Sequence, residues 1–284
     1  MLTVLDPGPL TTVQDGGRIG YAHLGVPPSG ALDLPALALA NRLVANPEDA
    51  AGLETTLGGV TLRAERHLTL AVTGATADVW IGDRAVSRNA PLHLAPGEIL
   101  RVGPATAGVR NYIAVRGGID VPPVLGSRST DLLSGLGPPP LRAGDRLPVG
   151  TAVTGWPCVD LAPCQECADG PVRLRLRLGP AEDWLTPDAI TTLTSVPFTL
   201  TPASNRVAAR LDGPVLAWKR DQQPLSEGLV TGSVQVPPAG HPLVFLADHP
   251  TTGGYPHVGV VHPDDLPTLA QARPGAIVQF QLSG

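Results

Sequence analysis

From Val172 to Leu178 the chain alternates without a break between an aliphatic residue and an arginine, Val172-Arg173-Leu174-Arg175-Leu176-Arg177-Leu178. Side chains on an extended strand point alternately to opposite faces, so this is the pattern of a half-buried antiparallel strand, its arginine row either a solvated sheet face or a ligand surface. A helix would scatter the same aliphatic residues around its circumference. Shorter runs carry the same signal: Val60-Thr61-Leu62-Arg63, Leu68-Thr69-Leu70-Ala71-Val72, Asp78-Val79-Trp80-Ile81 and Asn111-Tyr112-Ile113-Ala114-Val115. Each is β-prone and bounded by Gly, Asp or Pro. The 33 Gly and 32 Pro are spread along 284 residues instead of gathering in low-complexity blocks, which suits many short strands and tight turns.

Helices are few and well punctuated. Asp33 can cap one with Pro35 in its first turn, running from Ala36 to about Ala45. Asn46-Pro47-Glu48-Asp49 has the same grammar and predicts a second start, so helical structure is expected near 34–54. Thr186-Pro187-Asp188 opens another over 187–194, and Asp264 or Asp265 begins a short one ending before Pro274-Gly275. The stretch from about Pro148 to Pro171 has no sustained period. It divides the chain into a β-rich unit over 1–150, a Pro/Gly/Cys connector over 151–171 and a second β-rich unit over 172–284.

Several functional classes are excluded on residues alone. A net charge of −5 gives no electrostatic reason to bind nucleic acid or an anionic membrane surface. No apolar run approaches the length needed to span a bilayer, and Met1-Leu2-Thr3-Val4-Leu5 is no secretory leader, so a cytoplasmic protein is expected. P-loop, Rossmann, nucleophile-elbow and His-Glu-x-x-His motifs are absent. Lys219 is the only lysine and Met1 the only methionine, so the chain lacks a lysine presented between methionines for covalent biotin. The cysteines Cys158, Cys164 and Cys167 crowd the connector; Cys164-Gln165-Glu166-Cys167 has zinc spacing but no evident fourth ligand, so no metal is expected.

Three polar constellations remain. Gln14, Asp15, Arg18, Ser29 and Asp33 lie among glycines and prolines between Gly8 and Asp33, where free amides and a guanidinium suit a carboxylate or phosphate. Turn chemistry and capping explain the same residues equally simply. Thr251-Thr252-Gly253-Gly254-Tyr255-Pro256, after Asp248-His249-Pro250, forms a loop able to stabilise an oxyanion, or simply a long hairpin. Glu227, in Ser226-Glu227-Gly228, is either a general base or a solvated glutamate.

Together these segments resemble the KipA family, also described as allophanate hydrolase subunit 2 or biotin-dependent carboxyltransferase. The resemblance runs through Gly8-Pro9-Leu10-Thr11-Thr12-Val13-Gln14-Asp15, Arg18, Gly20-Tyr21, Gly25 to Asp33, Ala40-Asn41-Arg42-Leu43-Val44, Asn46-Pro47 and Glu54 to Gly59. It continues in Tyr112 to Ile119, which contains Arg116, then in Ser226-Glu227-Gly228, Gln235-Val236-Pro237 and Thr251 to Pro256. Asn205 and Pro250 depart from the pattern, standing where Asp and Gln are usual, as does the Gly137-Pro138-Pro139-Pro140 stretch.

The resemblance implies a cyclophilin-like β-barrel, in two related β-rich units. It implies a subunit of an ATP-dependent 5-oxoprolinase complex that opens 5-oxoproline to glutamate, inactive without its partners. Those partners are a KipI-like subunit and a LamB/YcsF-like subunit, and the ATP site is not located in this chain. On this reading Glu227, Asp15 and Tyr255 are catalytic. Gln14, Arg18, Ser29, Asn41, Arg116, Gln235, Thr251, Thr252, Gly253 and Gly254 bind substrate, with loops from both ends of the chain lining one cleft. Two other readings stay open: carboxyl transfer from biotin carried on another chain, as in urea carboxylase, and sequestration of a KipI-type kinase inhibitor without chemistry.

Overall fold

The computed structural model describes residues 1–163, 170–179, 181–220 and 222–283. The chain forms two compact units, neither continuous in sequence. The first comprises Met1–Arg18, Asp33–Asp131 and Gly135–Ala168; the second comprises Ile19–Leu32, Leu132–Ser134 and Asp169–Gly284.

The first unit is built on two sheets. One runs Arg146–Leu147, Leu2–Asp6, Thr61–Ala64, Ile99–Val102, Val79–Ile81, Arg84–Val86; the other runs Leu10–Gln14, Gly52–Thr56, Ala107–Val115, Leu68–Thr76, Leu92–Leu94. Leu2, Val4, Leu62, Leu100 and Val102 of the first meet Val13, Leu53, Leu70, Val72, Ile113 and Val115 of the second in one apolar core. The alternation seen in the sequence is what places these side chains on the inner faces.

Helix α1, Leu34–Leu43, packs against the strands Leu68–Thr76 and Ala107–Val115. Asp33 caps it as expected, its Oδ1 accepting from Ala36 N at 3.0 Å. The entry to the helix is fixed from below. Asp33 N donates to Tyr112 Oη, and Tyr112 Oη donates to Glu54 Oε2, both at 2.8 Å. Burial, with the charges of Glu54 and Asp33, holds the Tyr112 phenol well above its ordinary range.

The second helix start expected at Asn46-Pro47 does not form. Ala45 takes a positive φ of 54° and ends the helix, and Ala50 N closes a single turn onto Pro47 O. Asn46 is spent on tertiary bonds instead, donating to Val115 O and Asn41 Oδ1 while accepting from Gly117 N. A local capping signal was overridden by a side chain that bridges distant strands.

The second unit contains a closed barrel of Val172–Leu178, His257–Val261, Ser233–Gln235, Leu243–Phe245, Ala208–Asp212, Phe198–Leu200 and Ile277–Leu282. Val172, Leu174 and Leu176 point into its core with Phe198, Val234, Val258 and Phe280, while Arg173, Arg175 and Arg177 face solvent. The strand is antiparallel to His257–Val261 as expected but parallel to Ile277–Leu282, because barrel closure sets its second neighbour and alternation fixes only which face is buried. Helix α2, Pro187–Ser195, starts with Thr186 Oγ1 accepting from Ala189 N and buries Ala189 and Leu193. Helix α3, Leu266–Ala270, follows a 3₁₀ turn over Pro263–Asp265. Mainly β architecture with few short helices therefore agrees with the reading of the sequence.

One ion pair of this unit is removed from water. Arg206 Nε and Nη2 donate to Asp248 Oδ2 and Oδ1 at 2.9 and 3.0 Å, with the two side chains 2% and 0% exposed. Ser29 Oγ and Leu132 N complete the carboxylate's shell, and Arg206 Nη2 also donates to Gly30 O at 2.6 Å. Asn205, where the family pattern has Asp, uses Oδ1 to accept from Val207 N and Ala208 N, a local turn that needs no charge.

Two outcomes follow. Asp248→Ala removes the carboxylate that accepts two bonds from a buried guanidinium and should lower unfolding free energy by about 3–5 kcal/mol in urea titration; a loss within error would show the pair is not structural. Burial tends to raise the Asp265 carboxyl, but its bonds to Arg175 outweigh this and lower it. A folded-state value below the unfolded one contributes stability above the unfolded value, lost as pH falls through the folded one. Asp265→Asn should therefore be less stable than the parent near neutrality, the gap closing in acid; a pH-independent gap would refute this.

Candidate functional site

Two stretches that the sequence marked separately become one ribbon in the second unit. Glu227–Gly228 pairs antiparallel with Thr252–Gly253, Glu227 opposite Gly253, and Leu229 N donates to Thr251 O at 2.9 Å. Beneath it the barrel strand Ser233–Gln235 pairs with His257–Val261, placing Gln235 opposite His257. Gln235 is buried and its Nε2 donates to Tyr255 O at 3.0 Å, so the polar loop is tied to the barrel through a side-chain amide. The Tyr255 ring itself remains partly exposed.

Within this arrangement Glu227 Oε1 lies 3.9 Å from His257 Nδ1. That is too long for a hydrogen bond and short enough for a carboxylate–imidazole pair. Among the described residues neither Glu227 Oε1 nor His257 Nε2 has a hydrogen-bond partner, although both atoms are buried. Buried polar atoms in folded proteins are nearly always satisfied, and exceptions concentrate where a ligand or reacting group is to be met. Gly253 allows the close approach: a Cβ there would stand 2.5 Å from Gln235 Nε2 and 2.8 Å from Leu229 Cδ1. The ribbon thus brings a carboxylate, an imidazole and an oriented amide together, a set able to move a proton and to orient an amide group.

The residues expected in the first unit have other surroundings. Asp15 accepts four hydrogen bonds, from Gly17 N, Ser127 Oγ, Ser129 Oγ and Arg128 N, at 2.5–2.8 Å. Such a carboxylate is an anchor for the 127–129 loop. Gln14 Nε2 donates to Thr12 Oγ1 and Thr130 O, leaving Oε1 buried and unpartnered among the described residues. Arg18 is 2% exposed; it donates to Ser129 O and, at 3.5 Å, to Val124 O, while its Nη1 has no partner among the described residues. Asn41 Nδ2 donates to Glu48 O and Ala50 O and its Oδ1 accepts from Asn46, so its polar atoms hold a turn. Arg116 donates to Val44 O and Gly155 O and stacks 4.8 Å from the Trp156 ring. Ser29 belongs to the second unit, at a positive φ of 52°, with its hydroxyl committed to Asp248.

His257 was not anticipated. It lies just past Pro256, where the loop reading ended, and opens the alternating strand His257–Val261. A histidine at the first position of a strand that leaves a polar loop is the signal that would have found it. Cys158 is a free, exposed thiol, whereas Cys164 and Cys167 lie outside the described residues. Among the described residues no group of three His, Cys, Asp or Glu side chains is placed to hold a metal ion, and no helix is long and apolar enough to cross a membrane.

Comparison with known proteins places the chain in a family. The chain is 39% identical over 283 residues to a protein of Escherichia coli (strain K12) named as a subunit of 5-oxoprolinase, covering 99% of this chain and 90% of that protein. The crystal structure of TTHA0988 superimposes with a TM-score of 0.87 at 38% identity, covering 99% of this chain and 55% of that one. The K. lactis urea amidolyase superimposes with a TM-score of 0.93 at 32% identity, again over 99% of this chain but 19% of that one. The chain thus spans nearly all of one relative, about half of the second and about a fifth of the third. Residues 24–282 match the carboxyltransferase domain, subdomain A and B, and the chain belongs to that family.

Proposed function

We propose that this chain is a subunit of an ATP-dependent 5-oxoprolinase, acting with a KipI-like and a LamB/YcsF-like subunit to open the lactam of 5-oxoproline to glutamate. Its near full-length similarity to an Escherichia coli protein named as a 5-oxoprolinase subunit supports the assignment. The observation that carries it is the Glu227–His257 pair beside Gln235, with Glu227 Oε1 and His257 Nε2 buried and without hydrogen-bond partners among the described residues.

Lactam opening adds water to the ring carbonyl, breaks the C–N bond and delivers a proton to the departing nitrogen. Glu227 is assigned to that proton transfer, with Oε1 unclaimed among the described residues and the His257 imidazole as its neighbour. Gln235, locked to Tyr255 O, keeps the Thr251–Tyr255 loop in register with Glu227. ATP is a co-substrate of the complex, and no residue of this chain is assigned to it. A hydrolase lacking a nucleophile triad fits a subunit whose chemistry is proton handling and amide orientation.

Similarity to the K. lactis urea amidolyase favours a second reading, carboxyl transfer to an amide nitrogen from biotin carried on another chain. The same pair would then take the proton from that nitrogen.

Co-expression with the two partner subunits, followed by assay of ATP-dependent glutamate release, separates the readings. Glu227→Gln should lower that rate by about 10²–10⁴-fold with the complex still assembled, the range for loss of a general acid–base group. Undiminished turnover would remove Glu227 from the mechanism, and glutamate release without this chain would refute the assignment. ATP-dependent carboxylation of urea in the presence of a biotinylated partner, with no glutamate release, would favour the second reading. Gly253→Ala, which drives a methyl group into Gln235, should also slow turnover while circular dichroism stays unchanged; parental rates would show that the amide's position is irrelevant.

A further inference from the structure

Arg116 opens onto a groove of the first unit, about 270 Å³ in volume, shared with Thr69, His93, Trp156 and Asp160. Its two hydrogen bonds go to main-chain carbonyls, Val44 O at 2.9 Å and Gly155 O at 2.5 Å. These fix the guanidinium plane against the Trp156 ring without neutralising it. Among the described residues no carboxylate pairs with Arg116 and no cation pairs with Asp160. Two opposite charges therefore line one groove without meeting each other. Trp156 is 84% exposed, leaving indole surface open beside them, and His93 Nδ1 is 3.1 Å from Thr69 Oγ1, which orients the imidazole.

We propose that this groove binds a small α-amino acid as its zwitterion, with the carboxylate on Arg116, the ammonium on Asp160 and the remainder against Trp156. The opposed, unpaired charges select a ligand that carries both signs. A phosphate would meet one cation and be repelled by Asp160, and a simple amine would be repelled by Arg116. The volume lies just below that of drug-sized pockets and accommodates a metabolite of amino-acid size. Only the choice of L-glutamate as first probe rests on the proposed function.

The test uses the full chain alone, with glycine, L-glutamate and glutarate as probes in calorimetric and tryptophan-fluorescence titrations. Both amino acids should saturate. Glutarate, which lacks the ammonium, should bind about tenfold more weakly or worse, and Asp160→Asn should weaken the amino acids similarly. Arg116→Lys should do the same by losing the planar fork. If that variant unfolds, Asp160→Asn, at an exposed position, decides the matter. Trp156→Phe should abolish the fluorescence response. Absence of amino-acid binding, equal binding of glutarate, or parental affinity in Asp160→Asn would each overturn the proposal. So would capture of a partner subunit that depends on Trp156 while no amino acid binds. Glu227→Gln should titrate as the parent, so binding here and lactam opening can fail separately.

Discussion

The second unit depends on a buried carboxylate. Asp248 is fully excluded from water and takes its donors from Arg206, Ser29 and Leu132. An ion in that position is tolerated only with complete hydrogen bonding, because desolvation outweighs the attraction of a single imperfect partner. Its partners come from segments far apart in sequence, which is why Ile19–Leu32 and Leu132–Ser134 are gathered into the same compact unit as the barrel. The main chain repeats the link, Asp248 N donating to Arg206 O. The polar loop from Thr251 to Pro256 leaves the barrel just after this anchor, so its path starts from a fixed point.

Two acidic residues of similar promise in the sequence illustrate how structure separates anchoring from chemistry. Asp15 accepts from Gly17 N and from three donors of the 127–129 loop, so its carboxylate is spent on holding that loop in place. Glu227 is under-satisfied, with Oε1 buried beside an imidazole that it does not quite reach. Unmet hydrogen-bonding capacity of this kind costs stability and persists where something else is to be bound. The Arg116–Asp160 groove follows the same logic at the level of charge, with Arg116 held by main-chain carbonyls and neither ion paired with the other.

The relatives give these features a setting. The same fold occurs as part of longer chains in TTHA0988 and in the K. lactis urea amidolyase, and as a protein of nearly matching length in Escherichia coli. A β-rich unit with a carboxylate–imidazole pair and an oriented amide is compatible with either amide opening or amide carboxylation, since both require a proton to move at an amide nitrogen.

Much of the fold was legible in the chain itself. The strict alternation of Val172–Leu178 specified a half-buried strand, and Asp33 and Thr186 announced helices that form where they point, because strand patterning and N-capping act over a few neighbouring residues. Asn46 shows the limit: its capping signal was genuine, but bonds to Val115 and Gly117 across the fold were available to the same side chain. The site was legible as segments and not as an arrangement. Glu227 and the Thr251–Tyr255 loop were marked by composition, whereas their pairing, the place of His257 and the commitment of Asp15 and Asn41 to main-chain anchoring were decided only by tertiary structure. Sequence alone determined which residues could fold locally and which were polar enough to matter. Which polar atoms remained unsatisfied was decided by packing, since a hydrogen bond between distant residues leaves no periodicity in the chain.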